Sequence, residues 1–224
     1  MDSAASYQDL LRWSEALAGV AKTGLGFTSS LYERERFEEV LKIAADIRFS
    51  ATKDQDPEFL VEQWKLDVGI GVKGYATPKV AVGAIVGNDK GQILLVQRRD
   101  SGVWLYPTGW ADAGYSASEV VVKEVKEETG IDVKPTRLIA VFDGLRRGFG
   151  SIALYSLIFQ CQVIGGQLQA HPLECSDVGW FDEQNLPEPL AGKERWKDLA
   201  FSALNQDTIE VVFDPPRFPF WRGD

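Results

Sequence analysis

Glu124, Glu127 and Glu128 stand at i, i+3 and i+4 along the chain, a spacing that on a helix carries all three carboxylates to one face. Like charges packed this way repel unless a cation sits among them. An all-oxygen ligand set suits a hard divalent ion, Mg2+ or Mn2+. Ions held there would neutralise an anionic substrate, acidify a water and stabilise charge growing on a leaving oxygen. A solvated charged face accounts for most Glu-rich helices, but three features weigh against it here. A turn-rich glycine stretch, Gly109-Trp-Ala-Asp-Ala-Gly-Tyr115, comes immediately before; the acidic face lacks matching basic partners four residues on; and Val121, Val122 and Val125 supply an apolar flank that would bury the helix.

The elements that must position these groups follow from patterning. Ser116 with Glu119 is a capping box and Gly130 sits where a helix end takes a left-handed residue, so a helix is expected from Ser116 to Thr129. Val80–Val86 and Gln92–Arg98 are apolar or β-branched runs joined by Asn88-Asp89-Lys90-Gly91, which reads as a hairpin. Leu138–Phe142, Ile152–Val163 and Val178–Phe181 are further expected strands, with Gly165-Gly166 as a turn, and Lys193–Leu204 reads as another helix. Helices on a mixed sheet make an α+β protein, an α/β/α sandwich, over 73–208.

Upstream lies a helical domain over 1–72. Tyr7, Leu10, Leu11, Trp13, Leu17, Val20 and Ala21 have helical spacing, and Lys22-Thr23-Gly24-Leu25-Gly26 is expected to end that helix. Ser30 with Glu33 caps a second helix through Phe37, Val40, Leu41, Ala44 and Ile47. Asp56-Pro57 opens a third through Phe59, Val61 and Trp64, before the boundary stretch Gly69 to Gly74. So small a domain barely supplies its own core, so it packs either on the domain that follows or, the favoured reading, on a second subunit. The tail 209–224, containing Asp214-Pro-Pro-Arg-Phe-Pro-Phe-Trp221, reads as a docked surface segment, with a recognition motif as the alternative.

Composition bounds the partners. The 224 residues carry a net charge of −9, which repels nucleic-acid backbones and anionic membrane surfaces. No apolar run is long enough to span a bilayer and no basic start precedes one. Two cysteines without CxxC spacing suggest neither disulfides nor a thiolate zinc site, so the expected compartment is the cytoplasm. His171, the single histidine, lies beside Pro172 in an expected turn, so histidine chemistry is nearly excluded.

With its gaps, the window from Gly109 to Ile131 resembles the Nudix box: Gly, five residues, Glu, seven residues, Arg-Glu, an aliphatic, one residue, Glu-Glu, one residue, Gly, aliphatic. Gly109, Glu124, Val125, Glu127, Glu128, Gly130 and Ile131 match; Tyr115 replaces the first glutamate and Lys123 the arginine. Lys123 keeps a positive charge but not a planar fork for bidentate pairing. The resemblance implies a Nudix fold and Mg2+- or Mn2+-dependent hydrolysis of a pyrophosphate bond, with Glu124, Glu127 and Glu128 as metal ligands and the Gly109 carbonyl as a further candidate. Glu127 or Glu174 would be the general base, and Arg98, Arg99, Arg146 and Arg147 are candidate phosphate or leaving-group contacts. The variant box with a helical region before it is similar to the Nudix subgroup acting on nucleoside diphosphates linked to another moiety, CDP-choline-type pyrophosphatases among them, with ADP-ribose and NDP-sugars as further candidate substrates. The proline-rich run of NADH pyrophosphatases is absent, and so is the proline downstream of the box that marks many ADP-ribose hydrolases, the window around Arg146 to Gly150 holding none; both absences favour another NDP-X substrate. A Nudix-fold ligand sensor or binding module without catalysis is the alternative of a different class. The N-terminal helices are expected to form a homodimer: light scattering should give twice the 24.9 kDa chain mass, and the single-chain mass would refute it.

Overall fold

The computed structural model describes residues 5–69, 76–112, 114–149, 152–194, 196–205 and 210–215. They form two compact units, one reaching to Pro78 and one starting at Lys79. Beyond Gly69, the expected boundary stretch to Gly74 lies outside the described residues, as does the tail after Pro215.

The first unit is three helices, α1 (Tyr7–Phe27), α2 (Leu31–Thr52) and α3 (Pro57–Leu66). Asp56 caps α3 by accepting from the Glu58 and Phe59 N–H groups, with Pro57 in the first turn as expected. At Ser30 only half of the expected box forms. Its hydroxyl takes the Glu33 N–H at 3.4 Å, while the Glu33 carboxylate accepts from the Thr28 hydroxyl instead. Helix α1 does not end at Lys22–Gly26 but runs through it to Phe27. Gly24 serves close packing rather than termination: a Cβ there would lie 2.3–2.5 Å from three ring atoms of Phe37. The small buried side chains Ala18, Ala21, Ala44 and Ala45 accompany this approach, and Leu25, Leu41, Leu60, Val61 and Trp64 fill the rest of the core. Inside it the Ser14 hydroxyl donates to the Ala44 carbonyl at 2.8 Å. Val20, Phe27, Leu31, Tyr32, Ile43 and Leu66 remain exposed, Leu31 at 84%.

The second unit is a mixed sheet between helices. Its elements are β1 (Lys79–Gly87), β2 (Ile93–Arg98), β3 (Trp104–Leu105), β4 (Thr108–Trp110), α4 (Ala117–Thr129), β5 (Ile131–Asp143), α5 (Gly144–Arg147), β6 (Leu154–Gly166), β7 (Cys175–Phe181), α6 (Lys197–Asn205) and β8 (Val212–Phe213). The strand order is β3-β2-β1-β6-β5-β8, with β4 added to β1 and β7 to β2. The expected hairpin closes only at Gly87 opposite Ile93. Beyond that pair the two strands part: β1 runs parallel to β6 over nine residue pairs, and β2 pairs with β7 and β3. Alternation then sends side chains to two faces. Val82, Ala84, Val86 and Leu94 pack with Val120, Val121 and Val125 of α4; Ile85, Ile93, Leu95 and Ile139 pack with Trp196, Ala200 and Phe201 around α6. The α/β/α sandwich is therefore present, with the expected final helix divided into a 3-10 turn at Ala191–Glu194 and α6.

Gly165-Gly166 is not a turn. Both residues continue β6 and pair with Asp132 and Ile131, so β5 starts at Ile131 rather than Leu138. The reason is a close backbone approach. Gly166 has φ +89 and a Cβ there would meet the Gly130 carbonyl oxygen at 2.4 Å; Gly130, with φ +74, would in turn meet the Gln167 carbonyl oxygen at 2.3 Å. Long β5 also carries three register shifts against β6, at Asp132/Val133, Pro135/Arg137 and Leu138/Ala140. On its far side β8 pairs only with Ala140 and Val141. Gly130→Ala should therefore cost about 2–4 kcal/mol in urea unfolding, from left-handed strain plus a backbone collision. Gly91→Ala, at the same φ with open space around it, should cost only about 1 kcal/mol.

Candidate active site

The site is built on α4, whose start and finish are fixed as the sequence requires. The Ser116 N–H donates to the Glu119 carboxylate at 2.7 Å and the Ser116 hydroxyl accepts from the Glu119 N–H at 3.3 Å. Gly130 closes the other end in the left-handed conformation. Val120, Val121 and Val125 hold the helix against the sheet. That seating carries Glu128 inward with them, to 5% exposure, and leaves Glu124 half-buried and Glu127 exposed.

Strand β4 meets the two inner carboxylates. The Thr108 N–H donates to Glu128 Oε2 at 2.9 Å, and the Thr108 hydroxyl anchors β4 to β1 through the Val82 carbonyl at 2.6 Å. At Gly109 a Cβ would lie 2.1–2.4 Å from the Glu124 carboxyl atoms. The glycine that opens the box thus leaves room for a glutamate of the helix.

A second segment completes the cluster. The loop before β7 is tied to the end of α4: the Gln169 N–H donates to the Thr129 carbonyl at 2.8 Å and the His171 N–H to the Glu128 carbonyl at 3.2 Å. Farther along, the Glu174 carbonyl accepts the Arg99 N–H at 2.8 Å, and Arg99 Nη2 donates to the Cys175 carbonyl at 3.1 Å. This brings the Glu174 charge to the inner carboxylates. Burial, then neighbouring charge, raises the Glu124 carboxyl above its ordinary value, with Glu127 and Glu174 both contributing. Burial pushes Glu128 up to about 8, opposed by the Thr108 N–H and reinforced by Glu124 and Glu174. Among the described residues no cationic side chain forms an ion pair with Glu124 or Glu128. Among the described residues no group of three His, Cys, Asp or Glu side chains stands close enough to hold a metal ion.

The candidate cations are placed as follows. Lys123 donates to Asp112 at 2.6 Å, lies 5.8 Å from the centre of the Tyr115 ring and reaches Glu127 at 3.9 Å. It spans from the glycine loop to the helix, and it is the basic partner four residues from an acid that the sequence reading took to be missing. Arg98 is held in a two-pronged pair with Asp100 at 3.0 and 2.7 Å, with its charge felt at Glu128. Arg146 and Arg147 lie in α5 and are engaged by the C-terminal segment: Arg146 donates to the Pro215 carbonyl, and Arg147 donates to Asp214 at 2.6 Å while stacking 4.1 Å from the centre of the Phe142 ring. The structure thus gathers Gly109, Glu124, Glu128, Glu174 and Arg98. It adds Thr108, Asp112 and Asp100, which sequence reasoning missed; only Asp112, inside the glycine loop opposite Lys123, carried a local signal.

Comparison with known proteins identifies the family of both units. The NUDIX domain profile matches residues 77–202, and the profile described as a UDP-X-like, N-terminal oligomerisation domain matches residues 8–62. A putative ADP-ribose pyrophosphatase of Bacillus subtilis strain 168 is 32% identical over 209 residues, covering 91% of this chain and 96% of its own length. The crystal structure of a UDP-X diphosphatase superposes with a TM-score of 0.56 at 30% identity, covering 94% of this chain and all of that one. An ADP-ribose pyrophosphatase of Streptococcus suis gives 0.55 at 35% identity, over 62% of this chain and all of that one.

The raised Glu128 carboxyl has a consequence for stability. The folded protein keeps a proton that the unfolded chain releases near the ordinary value of 4.5, so below that pH there is no penalty and stability falls as pH rises from about 4.5 to about 8. In chelator, the urea midpoint should drop between pH 5 and pH 8; Glu128→Gln should remove most of the drop, and Mg2+ at pH 8 should restore the wild type but not the variant. A flat wild-type profile would mean that Glu128 is hydrated in solution.

Proposed function

The chain belongs to the Nudix hydrolase family, and from that membership we propose that it cleaves the pyrophosphate bond of a nucleoside diphosphate linked to another moiety, releasing a nucleoside monophosphate and the phosphorylated group. ADP-ribose, NDP-sugars and CDP-choline-like compounds are the candidate substrates. The observation that carries this reading is the pair of desolvated carboxylates, Glu124 and Glu128, with no cationic side chain paired to either among the described residues. Removing charge from water without compensation is costly, and the donor set is all oxygen, which fits Mg2+ or Mn2+. We assign Glu124, Glu127 and Glu128 as the metal ligands with the Gly109 carbonyl beside them. A bound divalent ion would neutralise the phosphates and acidify the attacking water.

The protein's own groups do the rest. Thr108 holds the Glu128 carboxylate in place through its N–H. Lys123, steadied by Asp112, fixes the glycine loop against α4 and so acts as a positioning residue. We assign Arg98, oriented by Asp100, to a substrate phosphate. Arg99 acts on the loop that carries Glu174, whereas Arg146 and Arg147 could reach a substrate only by leaving Asp214 and Pro215. Of the two candidate bases, Glu174 is favoured, because it faces the inner carboxylates from a separate segment and need not serve as a ligand as well. The N-terminal helices, with Leu31, Phe27, Tyr32 and Val20 uncovered, are assigned to a homodimer, in keeping with the oligomerisation domain they match. No described helix is long and apolar enough to cross a membrane, and both cysteines are buried and unpaired, which suits a cytoplasmic enzyme.

The test is to incubate the protein with Mg2+ or Mn2+ and CDP-choline, ADP-ribose, NDP-sugars, dinucleoside polyphosphates and nucleoside triphosphates, and to identify products by mass. Glu127→Gln should lower kcat by about 10²-fold or more with the fold intact. Glu174→Gln should lower kcat by about 10²–10⁴-fold while leaving Mg2+ uptake, followed by titration, unchanged. Failure to cleave any of these compounds with either ion would sink the proposal.

A further inference from the structure

A hollow of about 370 Å³ opens beside the last turn of α4, walled by Lys126, Glu127, Gln167, Gln169, His171 and Pro172. Its size is at the lower end for small-molecule sites. Glu127 belongs to the same helical face as Glu124, so the hollow begins about one turn, roughly 5 Å, from the carboxylate cluster. Its outer wall is fixed. The Gln169 and His171 N–H groups are bonded to the last carbonyls of α4, and Gly130 lets the chain at Gln167 come into contact with the helix end.

The chemistry of the lining narrows what fits. A phosphate is disfavoured: the Lys126 ammonium is already paired with Asp132 at 2.8 Å and donates to the Gly130 carbonyl at 3.1 Å, and a helix presents its negative end here. A nucleobase would find no Phe, Tyr or Trp on these walls to stack on, and a quaternary ammonium would find no aromatic cage. Two amides remain, each able to donate and accept, together with an imidazole whose buried Nδ1 has no hydrogen-bond partner among the described residues. Such a set matches a neutral group bearing several hydroxyls.

Resting on the hydrolysis proposed above, we propose that this hollow is the subsite for the group linked to the nucleoside diphosphate, and that it selects a hydroxyl-rich, sugar-like group held by Gln167, Gln169 and His171. The Gln167 and Gln169 side chains are exposed, so replacing them leaves the core untouched. The experiment measures kcat/KM of the wild type and of the Gln167→Ala, Gln169→Ala double variant on UDP-glucose, ADP-ribose and CDP-choline. The wild type should prefer the two sugar-linked compounds. In the double variant the ratio of kcat/KM on UDP-glucose to that on CDP-choline should fall about tenfold, the loss appearing mainly in KM. An equal loss on all three substrates, or no loss on the sugar-linked pair, overturns the subsite. So does a wild type that cleaves CDP-choline alone, although the hydrolytic reading then stands. A wild type that cleaves none of them with Mg2+ or Mn2+ sinks that reading and the subsite with it.

Discussion

A carboxylate taken out of water without a paired cation is a costly element in a fold, and the arrangement around Glu128 depends on that cost being tolerated. Its carboxyl is seated by the valines of α4, accepts one peptide N–H from β4, and faces two further acids. Burial and the two acids work against its ionisation, while the Thr108 N–H favours the charged form. The site therefore favours whatever brings positive charge to Glu128, and no lysine or arginine among the described residues forms an ion pair with it.

The same helix end performs a second service. The last carbonyls of an α-helix lack partners within it, and here the Glu128 and Thr129 carbonyls are satisfied by the chain at Gln169 and His171. Farther along, the same loop delivers Glu174. Terminating the helix and placing an acid opposite its carboxylates are therefore one structural act, and Gly130 and Gly166 are the positions where the backbones come close enough to allow it.

How much of this was legible depends on whether the signal was local. The limits of α4 could be read because a capping box and a left-handed glycine act within one turn, and the spacing of the three glutamates stated their common face. The Thr108 contact could not be read, since a peptide N–H has no residue type to betray it and its partner lies 20 residues on. Gly24 and Gly166 were misread for one reason: a glycine required by a neighbour's close approach looks, in sequence, like a glycine required by a turn. The hairpin was recognisable from its turn, but the parting of β1 and β2 is imposed by β6, which arrives 67 or more positions later in the chain. Exposure was the other hidden quantity. Periodicity placed Glu127 beside Glu124 and Glu128, whereas packing against the sheet decided which of them is solvated.

Strand β5 is long, lies near the rim of the sheet, and is covered by β8 at only two positions. A straight uncovered rim of this kind would invite another molecule to dock its own strand there and begin a growing stack. Pro135 lacks an N–H to donate, Lys134 adds a charge, and three breaks in register against β6 keep the strand from lying flat. The irregularities that make β5 look poorly formed are features that work against such edge-to-edge stacking.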